Sequence, residues 1–294
     1  MRRWWTDAIS AAGHVADRPH LWLPGALAWT ASVGWLALFI GVVPPPNIGE
    51  LTFLGAGIFK SGAWPWNALA IGAAALGAAL IGFGLVSVAE AVLLCGRRAG
   101  RRDVARVFVL GVVCATPTLV GLLAMATAAV VVAPIEFNAP DQQLGPLART
   151  AARLSPFLVA IAVAATAGAA IHASATRSAV AGRTVAEALH GSPRTLAGAG
   201  ASAVLQAAAV AVTRLAYLAV AAMGMRVLWA PIGVRLEAGG MDPAVALLLV
   251  GFVAIWLCLV LGGGALHAWG STSWTRVLGR SRERMESGRS RDLP

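Results

Sequence analysis

Six long apolar stretches dominate this sequence and limit what it can fold into. They cover residues 22–43, 67–94, 105–133, 156–176, 195–224 and 243–269. A helix needs about 20 mostly apolar residues to cross the hydrocarbon core of a bilayer, and each stretch reaches that length. We therefore expect an all-α fold, a polytopic membrane bundle of six transmembrane helices.

The composition argues against soluble folds. Only 12% of the residues are charged and 58% are hydrophobic, whereas a soluble domain has about 25% charged residues. A water-soluble enzyme, a disordered chain and a coiled coil are therefore poor matches. The net charge of +10 does not indicate nucleic-acid binding, because the basic residues lie in short connections and form no continuous basic face.

The basic residues predict the orientation. Of the 23 Lys and Arg residues, 17 lie before the first stretch, between the second and third, between the fourth and fifth, and after the sixth. Five lie in the alternate connections. Because positive charge is retained in the cytoplasm, we expect a multi-pass protein of the plasma (inner) membrane with both termini cytoplasmic. We interpret the first stretch as a retained helix and not a signal peptide.

The chain divides into a membrane domain, residues 1–275, and a basic tail, residues 276–294, which we expect to be disordered in the cytoplasm. Three segments that precede the odd-numbered spans share a capping residue followed by a proline: Thr6, Asp103 and Thr184. This pattern suggests three helical hairpins, each with a short interfacial lead-in helix. Chance similarity is the alternative interpretation.

Small residues and tryptophans fit a membrane bundle. Ala70, Ala74, Ala78 and Gly82 recur at a spacing of four, which lets helices approach closely, within the bundle or in a homo-oligomer. Several of the 11 tryptophans lie near predicted span ends, as expected for an aromatic belt at the lipid headgroups. The three cysteines show no ligand spacing, so we expect no disulfide, metal site or cofactor.

Four ionisable residues lie inside the predicted spans. Glu90, His172 and His267 fall near the cytoplasmic ends of the even-numbered spans, at comparable depth. They form a candidate polar cluster, since two histidines and a carboxylate can bind zinc or iron or relay protons. The alternative is ordinary polar residues near the interface, which reach water unaided.

Arg214 is the strongest single candidate, for a substrate or a polar cavity. It lies 19 residues after the predicted start of the fifth span, so we do not expect it to pair directly with Glu90. Bonds to Gln206, to carbonyls or to Tyr217, and an anchoring role in the outer leaflet, remain open.

No motif for nucleophilic catalysis, phosphate binding or dinucleotide binding occurs, so we expect no enzyme. Transport or a membrane-partner (scaffold) role is our first hypothesis. A membrane subunit of an ABC-type permease, with a separate ATPase partner, is the alternative. An intramembrane lipid-modifying enzyme is a third, and it requires the two histidines and Glu90 to converge.

The segment DAISAAGHVADRPHLWLPGALAW (7–29), with GRRDVARVF (100–108) and GRTVAEAL (182–189) in later hairpins, resembles a broad group of uncharacterised bacterial six-helix integral membrane proteins. That group is related to the membrane domain of some glycerophosphodiester phosphodiesterases. The resemblance implies the six-helix fold. It implies neither the phosphodiesterase activity, whose domain is not present in this sequence, nor any functional residue.

Overall fold

Helices make up almost all of the described chain. The computed structural model describes residues 2–44, 50, 62–63, 66–138, 146–239 and 242–289, and these contain no strand. Six helical stretches are long and apolar enough to span a membrane: Pro19–Val42, Leu69–Cys95, Arg101–Ala129, Ala148–Val180, Ala201–Glu237 and Pro243–Arg280. The expectation of an all-α bundle with six transmembrane helices is confirmed.

Nine α-helices follow one another along the described residues. They are α1 (Arg2–Ala16), α2 (Trp22–Trp29), α3 (Trp35–Val42), α4 (Trp66–Cys95), α5 (Arg101–Asn138), α6 (Pro146–Val180), α7 (Val185–Ala199), α8 (Ala201–Glu237) and α9 (Pro243–Arg289). A π-helical turn, Thr30–Gly34, joins α2 to α3, so these three elements form the first span.

Separate lead-in helices precede the first and fifth spans, where they are α1 and α7. No separate α-helix precedes the third span, because α5 runs unbroken from Arg101 and only a single 3₁₀ turn, Gly96–Arg98, lies before it. The prediction of three lead-in helices is wrong at this hairpin. The predicted cap Thr184 does begin α7, in a reciprocal capping box with Glu187. The Thr184 backbone N–H that binds the Glu187 carboxylate lowers the pKa of that carboxyl. Thr6 lies inside α1 and is not at the start of this helix.

The fifth span begins later than its apolar pattern suggested. We placed its start at residue 195, but α7 ends at Ala199 and Gly200 adopts a φ of 54°. This left-handed conformation suits glycine and interrupts the helix. The next helix therefore starts at Ala201, and Arg214 lies only about 20 Å along it at 1.5 Å per residue.

The last helix continues into the segment that we expected to be disordered. α9 extends to Arg289, and residues 290–294 lie outside the described part. Arg, Glu and Met are good helix formers, so a helix that starts in the membrane can continue through this charged sequence.

The chain forms two compact units. The first, here the N-terminal unit, comprises residues 2–104 and 209–273, and the second, the central unit, comprises residues 105–208 and 274–289 of the described chain. The N-terminal unit therefore holds α1 to α4 with most of α8 and α9. The central unit holds most of α5, all of α6 and α7, the first residues of α8 and the last part of α9.

Glycines permit the closest helix contacts in the N-terminal unit. A Cβ added at Gly25 would overlap the Gly264 carbonyl oxygen, and one at Gly264 would lie 2.5 Å from the Ala26 nitrogen. Here α2 and α9 pack backbone to backbone. Of the predicted small-residue row in α4, Gly82 approaches the Ala31 carbonyl, where a Cβ would be 3.2 Å away, while the three alanines are exposed.

An aromatic cluster fills the middle of this unit. Trp29 is 1% exposed and packs against Tyr217 and Trp256, with ring centroids 5.7 and 6.0 Å away. The Tyr217 hydroxyl donates to the Leu259 carbonyl at 2.8 Å. An apolar cluster that contains Met225, Ile232, Val245 and Phe252 lies towards the end of α8 and the start of α9.

The central unit is also held by small residues and by one buried ion cluster. A Cβ at Gly168 of α6 would overlap the Cys114 carbonyl of α5. Glu136 is 3% exposed and accepts from Arg149 Nε at 2.7 Å and Arg153 Nε at 2.5 Å. This cluster joins the end of α5 to the start of α6.

Candidate functional site

A chain of polar side chains lies within the N-terminal unit, and all of its members are buried except Arg214, which is half-buried. Arg214 Nη2 lies 2.9 Å from His267 Nδ1, and His267 Nε2 lies 3.3 Å from Glu90 Oε2. Ser271 Oγ donates to Glu90 Oε1 at 2.9 Å. We refer to Arg214, His267, Glu90 and Ser271 as the buried polar network.

Three spans supply the network. On α9, His267 and Ser271 are four residues apart, so one helical face presents both to the Glu90 carboxylate. Glu90 comes from α4, one turn before its end at Cys95, and Arg214 comes from α8. The side chains of His267 and Glu90 are 7% and 11% exposed, so these two groups are largely enclosed by protein.

The chemistry of the hydrogen bonds assigns the state of the imidazole. A guanidinium has only donors, so His267 Nδ1 must accept the bond from Arg214 and cannot carry a proton. The neutral ring then carries its hydrogen on Nε2 and donates it to Glu90. A neutral histidine thus links a cation to an anion, and the three groups together carry no net charge.

A proton added to His267 would disrupt this arrangement. Nδ1 would become a donor that faces another donor on Arg214, and the group would gain one positive charge in a poorly hydrated place. Either the guanidinium moves away or an anion joins it. The network is therefore suited to couple a proton to a movement or to an anion.

The network does not match a nucleophilic triad. In such a triad the hydroxyl bonds to the imidazole, which an acid then orients. Here the Ser271 hydroxyl bonds to the Glu90 carboxylate, while His267 faces Arg214 on its other side. The geometry of the buried polar network therefore does not place an imidazole where it could activate the Ser271 hydroxyl.

The structure brings together three of the four residues singled out in the sequence. Glu90 and His267 meet, as comparable depth suggested. Arg214 reaches His267, a partner that we had not considered, because Gly200 shifts the start of α8 and places Arg214 nearer the level of His267.

His172 lies on α6, in the central unit. Its convergence with Glu90 and His267 stays a prediction. Within the described residues, no group of three or more His, Cys, Asp or Glu side chains could hold a metal ion.

Ser271 is the network member that sequence reasoning missed. A single hydroxyl in an apolar helix usually bonds its own backbone, as Ser87 does with the Phe83 carbonyl. Only the spacing of four from His267 distinguishes Ser271, and that spacing becomes informative once a buried carboxylate faces the same side of α9.

Comparisons with known proteins add no relative: no protein-family model, curated protein or solved structure matches this chain. The resemblance to membrane domains of glycerophosphodiester phosphodiesterases stays a prediction.

Proposed function

We propose that this protein transports a small solute across the bacterial plasma membrane, with both termini cytoplasmic, and that the buried polar network is its proton-binding site. One observation carries the proposal: an imidazole bridges a guanidinium and a carboxylate inside membrane-spanning helices. Ionisable groups in such positions are expensive, and in membrane proteins they commonly mark ion pathways and proton relays.

Stability alone is a weak reason for this arrangement. Desolvating two charges costs several kcal/mol for each ion, and well-packed apolar residues in place of a buried ion pair are often neutral or stabilising, by about 1–4 kcal/mol. The helices of the N-terminal unit already pack through glycine contacts and an aromatic cluster. A functional role accounts for charges that packing does not need.

Proton movement in proteoliposomes tests the proposal. Purified full-length protein is reconstituted with an internal pH-sensitive dye, and a potassium diffusion potential drives protons inward. We expect wild-type vesicles to acidify faster than vesicles without protein. His267→Gln and Glu90→Gln should lower the protein-dependent rate by about a hundredfold or more, since a positioned proton-transfer group typically contributes 10²–10⁴-fold.

Glu237→Gln is the matched control, since Glu237 is exposed at the end of α8. This variant should keep the wild-type rate. A wild-type rate equal to that of empty vesicles, or a rate that the network variants leave unchanged, would contradict the proposal.

A membrane subunit of an ABC-type permease is a second candidate. Two helices outside the spans favour it, α1 before the first and α7 between the fourth and fifth. Such segments give a partner ATPase a surface to bind. Co-purification of an ATPase with the tagged chain would support this alternative, and proton flux by the isolated chain would argue against it.

A further inference from the structure

An apolar cavity lies beneath the N-terminal helix, separate from the hydrogen bonds of the buried polar network. Its volume is about 370 Å³, within the range of ligand pockets, about 300–1,000 Å³. α1 covers one side, and the first span, α8 and α9 supply the rest. The lining includes Val15, Ala16, Trp22, Thr213, Ala265 and Trp269.

The polar atoms of the lining side chains are already bonded. Trp22 Nε1 donates to the Val15 carbonyl and Trp269 Nε1 donates to the Ala8 carbonyl, both at 3.0 Å. The Thr213 hydroxyl donates to the Ala209 carbonyl in its own helix. A ligand with hydrogen-bonding groups would find no partner among these side chains, so the cavity suits hydrocarbon.

α1 places this cavity at the level where lipid chains begin. Its Ala11 and Val15 are buried against the unit, while Trp5 and Ile9 on the other side are 59% and 55% exposed. The exposed side also carries Thr6 and Ser10, and a helix that precedes a span and exposes both apolar and polar side chains is typical of the membrane interface. An acyl chain that enters beside α1 therefore needs no passage through water.

A positive charge stands next to the cavity along the chain. Arg18 is exposed and follows the lining residue Ala16 by two positions, in the turn between α1 and the first span. A guanidinium is a strong partner for phosphate. The neighbourhood thus offers an apolar slot and a phosphate-binding group, the two parts of a phospholipid.

We propose that this cavity binds one acyl chain of an anionic membrane phospholipid, with its phosphate at Arg18. The site is independent of the proposed transport function. It gives Trp22, at the start of the first span, and Trp269, within the sixth span, a structural role beyond a general aromatic belt: their indole hydrogen bonds hold α1 in place as one wall of a lipid site.

Photocrosslinking tests the site in the full-length protein. The chain is placed in bilayers of phosphatidylcholine and phosphatidylglycerol that contain a trace of phosphatidylglycerol with a photoreactive group in one acyl chain, and labelled peptides are mapped by mass spectrometry. We expect labels concentrated on residues 12–22 and 262–269. Ala265→Trp fills the cavity and should lower this labelling by about tenfold, the effect of losing roughly 1.4 kcal/mol of binding.

Leu261→Trp is the matched control, because Leu261 lies on the same helix and is 39% exposed. It should change the labelling less than twofold. If Ala265→Trp does not fold, Ala16→Phe fills the same cavity from the α1 side. Labels spread evenly over all lipid-facing helices, or labelling that survives in a folded cavity-filling variant, would overturn the acyl-chain site.

Competition separates the headgroup from the chain. Unlabelled phosphatidylglycerol should displace the probe from wild type better than phosphatidylcholine does, and Arg18→Gln should remove that preference while chain labelling persists. Equal competition by both lipids in wild type would refute the role of Arg18.

Discussion

Glu90→Gln is the sharpest test of the buried polar network. Glutamine keeps the size of the side chain and one acceptor oxygen, so the bond from either Ser271 or His267 can remain. The substitution removes the negative charge that balances Arg214 through the imidazole. We therefore expect the loss of stability to come mainly from an uncompensated guanidinium.

The geometry of the network sets how much stability Glu90→Gln should remove. Hydrogen bonds of 2.9 and 3.3 Å on either side of a ring about 2 Å across hold the two charges within roughly 8 Å of each other. At an effective dielectric constant near 20, their attraction is then at least about 2 kcal/mol. The charge-assisted hydrogen bond that is also weakened is worth about 1.5–3 kcal/mol, so the expected loss is about 2–5 kcal/mol.

A double-mutant cycle isolates the charge interaction. Unfolding free energies of the full chain are measured in mixed micelles by titration with a denaturing detergent. Glu90→Gln and Arg214→Gln should each destabilise, but the double variant should lose about 2 kcal/mol less than the sum, because it leaves no unpaired charge.

Glu237→Gln, at an exposed site, should change stability by less than about 0.5 kcal/mol, and its effect should add to that of Arg214→Gln. If the costs of Glu90→Gln and Arg214→Gln also add within about 0.5 kcal/mol, the two charges do not sense each other and our account of the network is wrong.

Three further predictions concern the scaffold. Gly264→Ala should destabilise the protein by about 1–3 kcal/mol, since the new Cβ would meet the backbone of the facing helix. Gly251→Ala, on the same helix but with open space around it, should stabilise the protein by roughly 0.5–1 kcal/mol. Unfolding by titration with a denaturing detergent compares the two variants. Arg149→Ala leaves a buried carboxylate without its less exposed partner and should cost about 3–5 kcal/mol, whereas Arg153→Ala, at a side chain 60% exposed, should cost less than about 1 kcal/mol in the same assay. Glu187 has a lowered pKa, so its contribution to α7 is complete above the ordinary pKa of a glutamate and is lost as pH falls through the lowered value; hydrogen-exchange protection of α7 should fall over that range in wild type and stay level in Glu187→Gln.

The number and type of spans could be predicted because one physical requirement controls them. A helix in lipid must be about 20 apolar residues long, and that requirement is visible in any window of the sequence. Helix ends depend on local backbone chemistry instead. Gly200 marks a break that apolar composition conceals, and Thr184 marks a start that its capping side chain reveals.

The pairing of Arg214 with His267 could not be predicted, for a related reason. The predicted fifth span began six residues before α8 does. Each residue of error in the start of a helix misplaces the predicted depth of a side chain by 1.5 Å. Side-chain pairing also depends on which faces two helices present to each other. The close approach of α2 and α9 at Gly25 and Gly264 contributes to that choice, and no pattern within a single helix reports it.

The order of the side-chain clusters along α8 adds a requirement to the transport proposal. Along α8, Arg214 is followed one turn later by Tyr217 of the aromatic cluster, and then by Met225 of the apolar cluster, about 16 Å beyond Arg214 at 1.5 Å per residue. A solute that continued from the buried polar network along α8, through the core of this unit, would therefore have to displace the aromatic cluster. Two features distinguish Trp29: it adjoins a π-helical turn, a feature common at functional sites, and its buried indole N–H bonds to no other described residue. The Tyr217 hydroxyl donates a hydrogen bond to α9. Displacing the Trp29 indole would therefore break no side-chain hydrogen bond, whereas displacing the Tyr217 ring would break one.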